Sequence, residues 1–206
     1  MARQFLNTFF GADALALQER AGSRASYARM TMGGAGEPDP IGPSEAAFIA
    51  ERDSFYLASR TDDGWPYIQH RGGPPGFLKV LPGNRIAFAD FAGNKQFITT
   101  ANLMRDDRVA LFLMDYPHRR RLKLAGHARA VTAQAAPALI AELTMPGYRA
   151  TIERAMVIDV VGYDWNCPQH IAPRFTEGEV QAAVAPLLDE VRALREEVAR
   201  LRATSN

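Results

Sequence analysis

Seven short apolar runs, each closed by a turn signal, constrain this chain more than any other feature of it. They are "SFYLASRT", "WPYIQHR", "GFLKVL", "RIAFADF", "RVALFLMD", "RLKLAGHARAV" and "AMVIDVVGYDW". All are rich in aliphatic and aromatic residues, and "DDGWP", "PGN" and "DYPH" break the chain between them. Runs this short suit strands rather than helices, and seven of them at this spacing predict an antiparallel barrel or sandwich. Two helical connectors interrupt them, predicted over Lys95–Met104 and over Ala138–Leu143 after Pro137. With 206 residues, 47% of them apolar, the chain can bury one sizeable core with extensions but hardly two full domains.

The rest of the chain flanks that core. Residues 1–43 read as an N-terminal extension with a short helix near Asp13–Arg20, followed by the helix-breaking loop "GGAGEPDPIGP". Residues 44–175 hold the strands and open with Ser44 as a predicted N-cap for a helix over Glu45–Arg52. Residues 176–206 form a C-terminal helix whose firm part is predicted from about Pro186, a residue tolerated in a first turn. Val184, Leu187, Val191, Leu194, Val198 and Leu201 alternate in steps of three and four, which places Val at a and Leu at d. That pattern favours a parallel two-stranded coiled coil, with Glu190 and Glu197 at g and Arg195 and Arg202 at e. The alternative is a helix laid against its own barrel.

Charge excludes some partners. The formal balance is +1, from 24 basic and 23 acidic residues, so no overall field draws the molecule to nucleic acid or to an anionic membrane. Cys167 is the only cysteine, which rules out an internal disulfide and a Cys-rich zinc site and fits a reducing, cytoplasmic location. The first residues lack a continuous apolar h-region, so no signal peptide is expected, and no run is long enough to span a bilayer.

A basic site must then be local. In "FADFAGNKQFITTANL" a helix predicted to start at Asn94 puts Lys95 and Gln96 in its first turn, where the macrodipole favours acidic side chains. An anion, most simply a phosphate, would explain the lysine; a surface lysine on a capped helix is the plainer alternative. Strand alternation in "HRRRLKLAG" puts Arg119, Arg121 and Lys123 on one face, and Lys79 is a lone charge in an apolar strand. These cations could line one phosphate pocket or a solvated sheet face. In "HRGGPPGF" the glycines permit a backbone to approach a flat ligand, or mark a long hairpin connection. In "YDWNCPQHIAPRF" Trp165, Asn166, Gln169 and His170 suit the edge of a heterocycle, whereas Cys167 and His170 alone make a poor metal site, so no metal is expected. No catalytic triad, G-x-S-x-G, P-loop or G-x-G-x-x-G is present, and no catalytic residue is assigned.

From about Ser44 to Phe175 the chain resembles the pyridoxamine 5'-phosphate oxidase-like, FMN-binding split-barrel family. The Leu-Lys of "GFLKVL", the Gly-Asn-Lys-Gln after "RIAFADF" and the strand "DDRVALFLM" carry the likeness. The resemblance implies a mainly β fold with accessory helices: a six- to seven-stranded antiparallel split β-barrel with an N-terminal helical extension and a long C-terminal helix. It implies a homodimer with FMN at the subunit interface and a small-molecule substrate or electron donor. It puts Lys79 at the flavin, Asn94 and Lys95 where the family's Ser-Arg meets the FMN phosphate, and Gln96 in place of a usual lysine. Arg121 falls where the oxidases tend to carry a glutamine, and Trp165, Gln169 and His170 would reach a flavin held mainly by the partner chain. Two departures weigh against vitamin B6 oxidation itself. Pro74 holds the position of an arginine five residues before the strand lysine, with Arg71, displaced by the "GGPPG" insertion, a candidate to take over its role or not, and "PQHIAPRF" lacks the family's Arg-x-His element. The expected function is that of an FMN-dependent oxidoreductase; the alternative is a non-catalytic carrier of flavin or haem, with His170 as the haem's axial ligand.

Overall fold

The computed structural model describes residues 3–32, 36–165 and 168–204. Among them are seven strands: β1 (Ser54–Arg60), β2 (Pro66–Gly72), β3 (Lys79–Leu81), β4 (Arg85–Phe91), β5 (Arg108–Asp115), β6 (Arg120–Thr132) and β7 (Ile152–Trp165). Each falls on one of the seven apolar runs, with β2, β6 and β7 extending past the ends of theirs. They pair antiparallel in a single sheet of order β2-β1-β5-β6-β7-β4-β3. The fold is therefore mainly β with accessory helices.

Alternation sets the faces. Phe55 and Leu57 of β1, Val109, Leu111 and Leu113 of β5, and Leu122 and Leu124 of β6 all turn inward and are buried. With Phe88 of β4 and Ile158 of β7 they form one core, each large side chain contributing roughly 1.5–3 kcal/mol by leaving water. The sheet curls until its ends share that core: Phe77, from the loop between β2 and β3, stacks on Phe55 at 5.9 Å, and Phe55 meets Phe88 edge-on at 5.1 Å. Gly73 of "HRGGPPGF" lies against the chain's own Phe77, whose ring a Cβ there would meet at 2.7 Å. Across the remaining gap, Arg71 of β2 reaches Asp90 of β4 at 2.7 Å. A side-chain pair, not a backbone ladder, spans that opening.

The extension folds more fully than its sequence predicts. It contains α1 (Arg3–Phe9), α2 (Ala12–Arg20) and α3 (Arg24–Thr31), of which only α2 was legible. Residues 33–35 of the Gly/Pro loop lie outside the described residues. Helix α1 has no acidic residue in its first turn. Its N-terminus is capped from a distance: the Asp39 carboxylate accepts hydrogen bonds from the backbone N–H of Arg3, Gln4 and Phe5 at 2.9, 2.9 and 3.0 Å. The helix lies so close to β7 that a Cβ on Gly162 would sit 2.4 Å from the Phe5 nitrogen. Asn84 holds the Asp39 loop in place, its side chain accepting from Ile41 N–H and donating to the carbonyls of Asp39 and Val160.

Three helix boundaries differ from expectation. Helix α4 (Pro43–Ala50) starts at Pro43, with Gly42 rather than Ser44 at the cap, because Glu45 reaches back to accept the Gly42 N–H at 3.1 Å. Helix α5 (Ile98–Leu103) begins three residues later than predicted, for reasons given below; α6 (Pro137–Leu143) falls where expected. Helix α7 (Glu177–Thr204) runs straight through Pro186. Its start is set by a Thr176/Glu179 capping box, in which Thr176 N–H donates to the Glu179 carboxylate at 2.7 Å and Glu179 N–H to the Thr176 hydroxyl at 3.3 Å. Arg119 is also not in a strand: it has φ 54°, and β6 begins at Arg120.

By contacts the chain divides into two compact units, residues 1–115 with 120–168, and residues 116–119 with 169–206. The first carries every strand and helices α1 to α6; the second carries α7. Among the described residues no helix is long and apolar enough to cross a membrane.

Candidate functional site

The chain from Ala92 to Phe97 makes no regular structure because its side chains and dihedrals oppose a helix. The Asn94 Oδ1 accepts the Gln96 N–H at 3.2 Å, closing a local turn. Lys95 and Phe97 adopt left-handed backbone, with φ 57° and 54°, a region that costs a non-glycine residue about 1–2 kcal/mol. Lys95 and Gln96 thus belong to a strained loop and not to the first turn of a helix, which corrects the sequence reading. Helix α5 begins after the loop and is fixed by two polar contacts from its buried side: Thr99 donates to Gln69 of β2 at 2.8 Å, and Asn102 donates to Ser59 of β1 at 2.9 Å.

This loop closes one side of a cavity of about 80 Å³. Asn94, Lys95 and Gln96 line it, as do Tyr67, Gln69 and Arg71, alternate residues on one face of β2. The end of β4 contributes Asp90, α5 contributes Thr99 and Thr100, and the start of β7 contributes Glu153 and Arg154. Three cationic side chains, Arg71, Lys95 and Arg154, therefore meet two carboxylates, Asp90 and Glu153.

The carboxylates are committed. Asp90 receives Arg71 at 2.7 Å through one oxygen and Arg154 at 3.4 Å through the other, while Glu153 receives Arg154 at 2.6 Å. Arg154 also donates to the Thr100 hydroxyl at 3.2 Å and covers the Phe97 ring at 5.1 Å. Side chains of Arg71, Arg154 and Asp90 are only 16, 15 and 12% exposed. Two donors remain unused: Arg71 Nε is buried with no hydrogen-bond partner, and among the described residues Lys95 makes no ion pair. Buried polar atoms are nearly always satisfied, so the orphaned Arg71 Nε–H is an unused buried donor in the wall of this cavity, which Lys95 lines from an exposed position.

Other residues singled out in the sequence are placed elsewhere. Lys79 is half-buried on β3, opposite Ala87 of β4, and does not line the cavity. Arg121 is on β6 over the Phe112 ring at 5.7 Å, with its own Nε buried and unsatisfied. Trp165 ends β7 as a packing element: its indole N–H donates to Glu45 at 2.8 Å, its ring meets Phe48 edge-on at 4.8 Å, and Arg120 covers it at 4.8 Å. Gln169 and His170 are exposed residues of the second unit, His170 with φ 63°. Asn166 and Cys167 lie outside the described residues. Among the described residues no three His, Cys, Asp or Glu side chains gather as a metal site would require.

Sequence reasoning missed Arg154, Gln69 and Tyr67. Alternation in "WPYIQHR" puts Tyr67 and Gln69 on the face of Arg71 and could have found them. Arg154 becomes visible only once β4 pairs with β7, where it is the direct cross-strand partner of Asp90.

Among solved structures the chain is similar to HupZ from Group A Streptococcus (14% identity, 66% of this chain and 99% of that one, TM-score 0.47). It is also similar to a protein from Clostridium acetobutylicum related to general stress protein 26 of B. subtilis, of the pyridoxinephosphate oxidase family (11%, 66% and 94%, TM-score 0.45). A third is an FMN-binding protein from Syntrophomonas wolfei subsp. wolfei (12%, 58% and 81%, TM-score 0.41). No curated protein matches the chain. The family profile described as pyridoxamine 5'-phosphate oxidase matches residues 42–158, more than half of the sequence and nearly all of the sheet. By that match the chain belongs to the pyridoxamine 5'-phosphate oxidase family.

Proposed function

We propose that the protein is an FMN-binding oxidoreductase, a homodimer that holds the flavin by its phosphate in the cavity between β2, the 92–97 loop and β7. The observation that carries this reading is the unspent cationic capacity of that cavity: among the described residues, Arg71 Nε has no partner and Lys95 no ion pair, beside carboxylates already neutralised by Arg71 and Arg154. A dianionic phosphate has the charge and the number of acceptor oxygens to satisfy both.

The residues fit that end of FMN. About 80 Å³ takes a phosphoryl group and falls well below the roughly 300–1,000 Å³ of pockets that enclose a whole organic ligand, so the tricyclic ring must lie beyond it. Arg71, Lys95 and Arg154 would hold the phosphate, and Asn94, Gln96 and Thr100 offer neutral donors around it. Lys79 and Arg121, which do not line this cavity, are proposed to face the remainder of the cofactor; Trp165, Gln169 and His170 are proposed to approach it from the partner chain. When bound, FMN supplies hydride or single-electron transfer. The chain's own part is to orient the cofactor, and Arg71 does so from a position that Asp90 fixes at 2.7 Å.

The test is a titration of purified protein with FMN, followed by flavin absorbance and thermal unfolding. Binding should raise the unfolding midpoint by mass action, and riboflavin, which lacks the phosphate, should bind at least about tenfold more weakly. Equal affinity for the two would sink the phosphate assignment. Anaerobic addition of NADH or NADPH should then bleach the bound flavin; a cofactor that no nicotinamide reduces would favour a carrier instead.

A further inference from the structure

Helix α7 has a continuous apolar stripe on its surface. Val184, Leu187, Val191, Leu194, Val198 and Leu201 are all between 37 and 60% exposed, and no described residue of the helix is buried. The stripe keeps a 3–4 spacing for about 18 residues, or roughly 27 Å of helix. Val stands at each a position and Leu at each d, the combination that favours two parallel strands. Leu188, at an e position and 58% exposed, widens the stripe at its N-terminal end.

The charges choose the orientation. Glu190 and Glu197 are at g, and Arg195 and Arg202 are at e. In a parallel pair, g of one helix meets e of the next heptad on the other, so Glu190 faces the second copy's Arg195 and Glu197 its Arg202. In an antiparallel pair g meets g and e meets e, which would set glutamate against glutamate and arginine against arginine. The same helix carries Pro186, which removes one hydrogen bond from the helix interior. Pro186 falls at c, away from the a/d stripe, so a partner helix can pack without meeting it. A continuous helix with an internal proline and no buried side chain has little of its own to offset that loss, whereas burial of the stripe would.

We infer that α7 pairs in parallel and in register with α7 of a second copy of this chain. The inference is independent of the flavin assignment. It is tested on the full-length chain in a Cys167→Ser background, with single cysteines introduced at a d position, Leu187→Cys, and at the outward f position, Glu196→Cys. Under mild oxidation Leu187→Cys should link into dimers about tenfold faster than Glu196→Cys, because only a parallel, in-register pair brings two identical d positions within disulfide range. An antiparallel pair would set residue 187 near residue 198 and give no such excess. Adding Glu190→Arg and Glu197→Arg to the Leu187→Cys chain should slow its linking about tenfold, and mixing it with a Leu187→Cys chain carrying Arg195→Glu and Arg202→Glu should restore it. Thermal unfolding of each variant controls for an intact barrel. Equal linking at 187 and 196, or indifference to charge reversal, overturns the inference.

Discussion

Two positive sites in this molecule look alike in kind and differ in one respect. At the start of α1, three backbone N–H groups converge on the buried carboxylate of Asp39, an anion supplied by the chain itself. Between β2, β7 and the 92–97 loop, three cationic side chains converge, but the two carboxylates present are already taken and donors are left over. A positive site that finds its counter-charge within the fold is a joint of the architecture. One that does not is a place where something else belongs. The contrast matters more than the number of basic residues, because it turns on whether each donor is satisfied.

The comparison can be broken at either end. The largest effect is expected at the self-satisfied site: Asp39→Ala leaves three N–H groups without their acceptor and should destabilise the fold by about 2–4 kcal/mol, lowering the unfolding midpoint, while the folded fraction keeps its FMN affinity. A loss of flavin binding as large as the loss of stability would mean the two sites are one. Arg71→Ala comes next. It takes away one of the two cations on Asp90 and should reduce stability by about 1–3 kcal/mol and FMN affinity by about 100-fold in calorimetry. Lys95→Gly should weaken FMN by about tenfold with no loss of apoprotein stability, since glycine tolerates the left-handed backbone that Lys95 adopts. If FMN binds that variant undiminished, the loop is architectural after all.

The smallest effect is expected in acid, at a third charged cluster. The Arg108 side chain hydrogen-bonds Asp106 and holds its carboxyl well below the usual carboxylate range, with Arg60 adding its charge. Because the folded value is depressed, the stability Asp106 contributes is complete above its unfolded value near pH 4 and is lost as pH falls below that toward the depressed value. The stability difference between the native chain and Asp106→Asn should stay flat from about pH 5 to 8 and shrink only below about pH 4. A difference that changes near neutrality would assign the titration to another group.

What the sequence revealed followed from short-range rules. Short apolar runs closed by turn signals located all seven strands, and in β5 period-two alternation writes out the buried face as Val109, Leu111 and Leu113. The a/d spacing of α7 was equally plain. Local rules misled where side chains compete with the backbone: Asn94 looks like a helix cap, but its carboxamide turns the chain at Gln96 and the helix waits until Ile98. Pro186 looked like a first-turn residue, although Thr176 and Glu179 had already capped the helix ten residues earlier. Illegible altogether were roles that depend on distant pairing. Arg154 joins the site because β7 lies beside β4, and Asp39 caps a helix more than thirty residues before it. Trp165, which its polar setting marks as a ligand edge, also ties α4 to the end of β7 through Glu45 and Phe48, a role that needs the folded chain to be seen.

Arg71 belongs to two structures at once. It is the strut between β2 and β4 where the barrel lacks a ladder, and it lines the cavity with a nitrogen to spare. Any anion that engages it also stiffens the opening, so amide protons of β2 should exchange with solvent more slowly when the cavity is filled. Occupancy and the ease of unzipping the sheet would then be one equilibrium, measurable from either side.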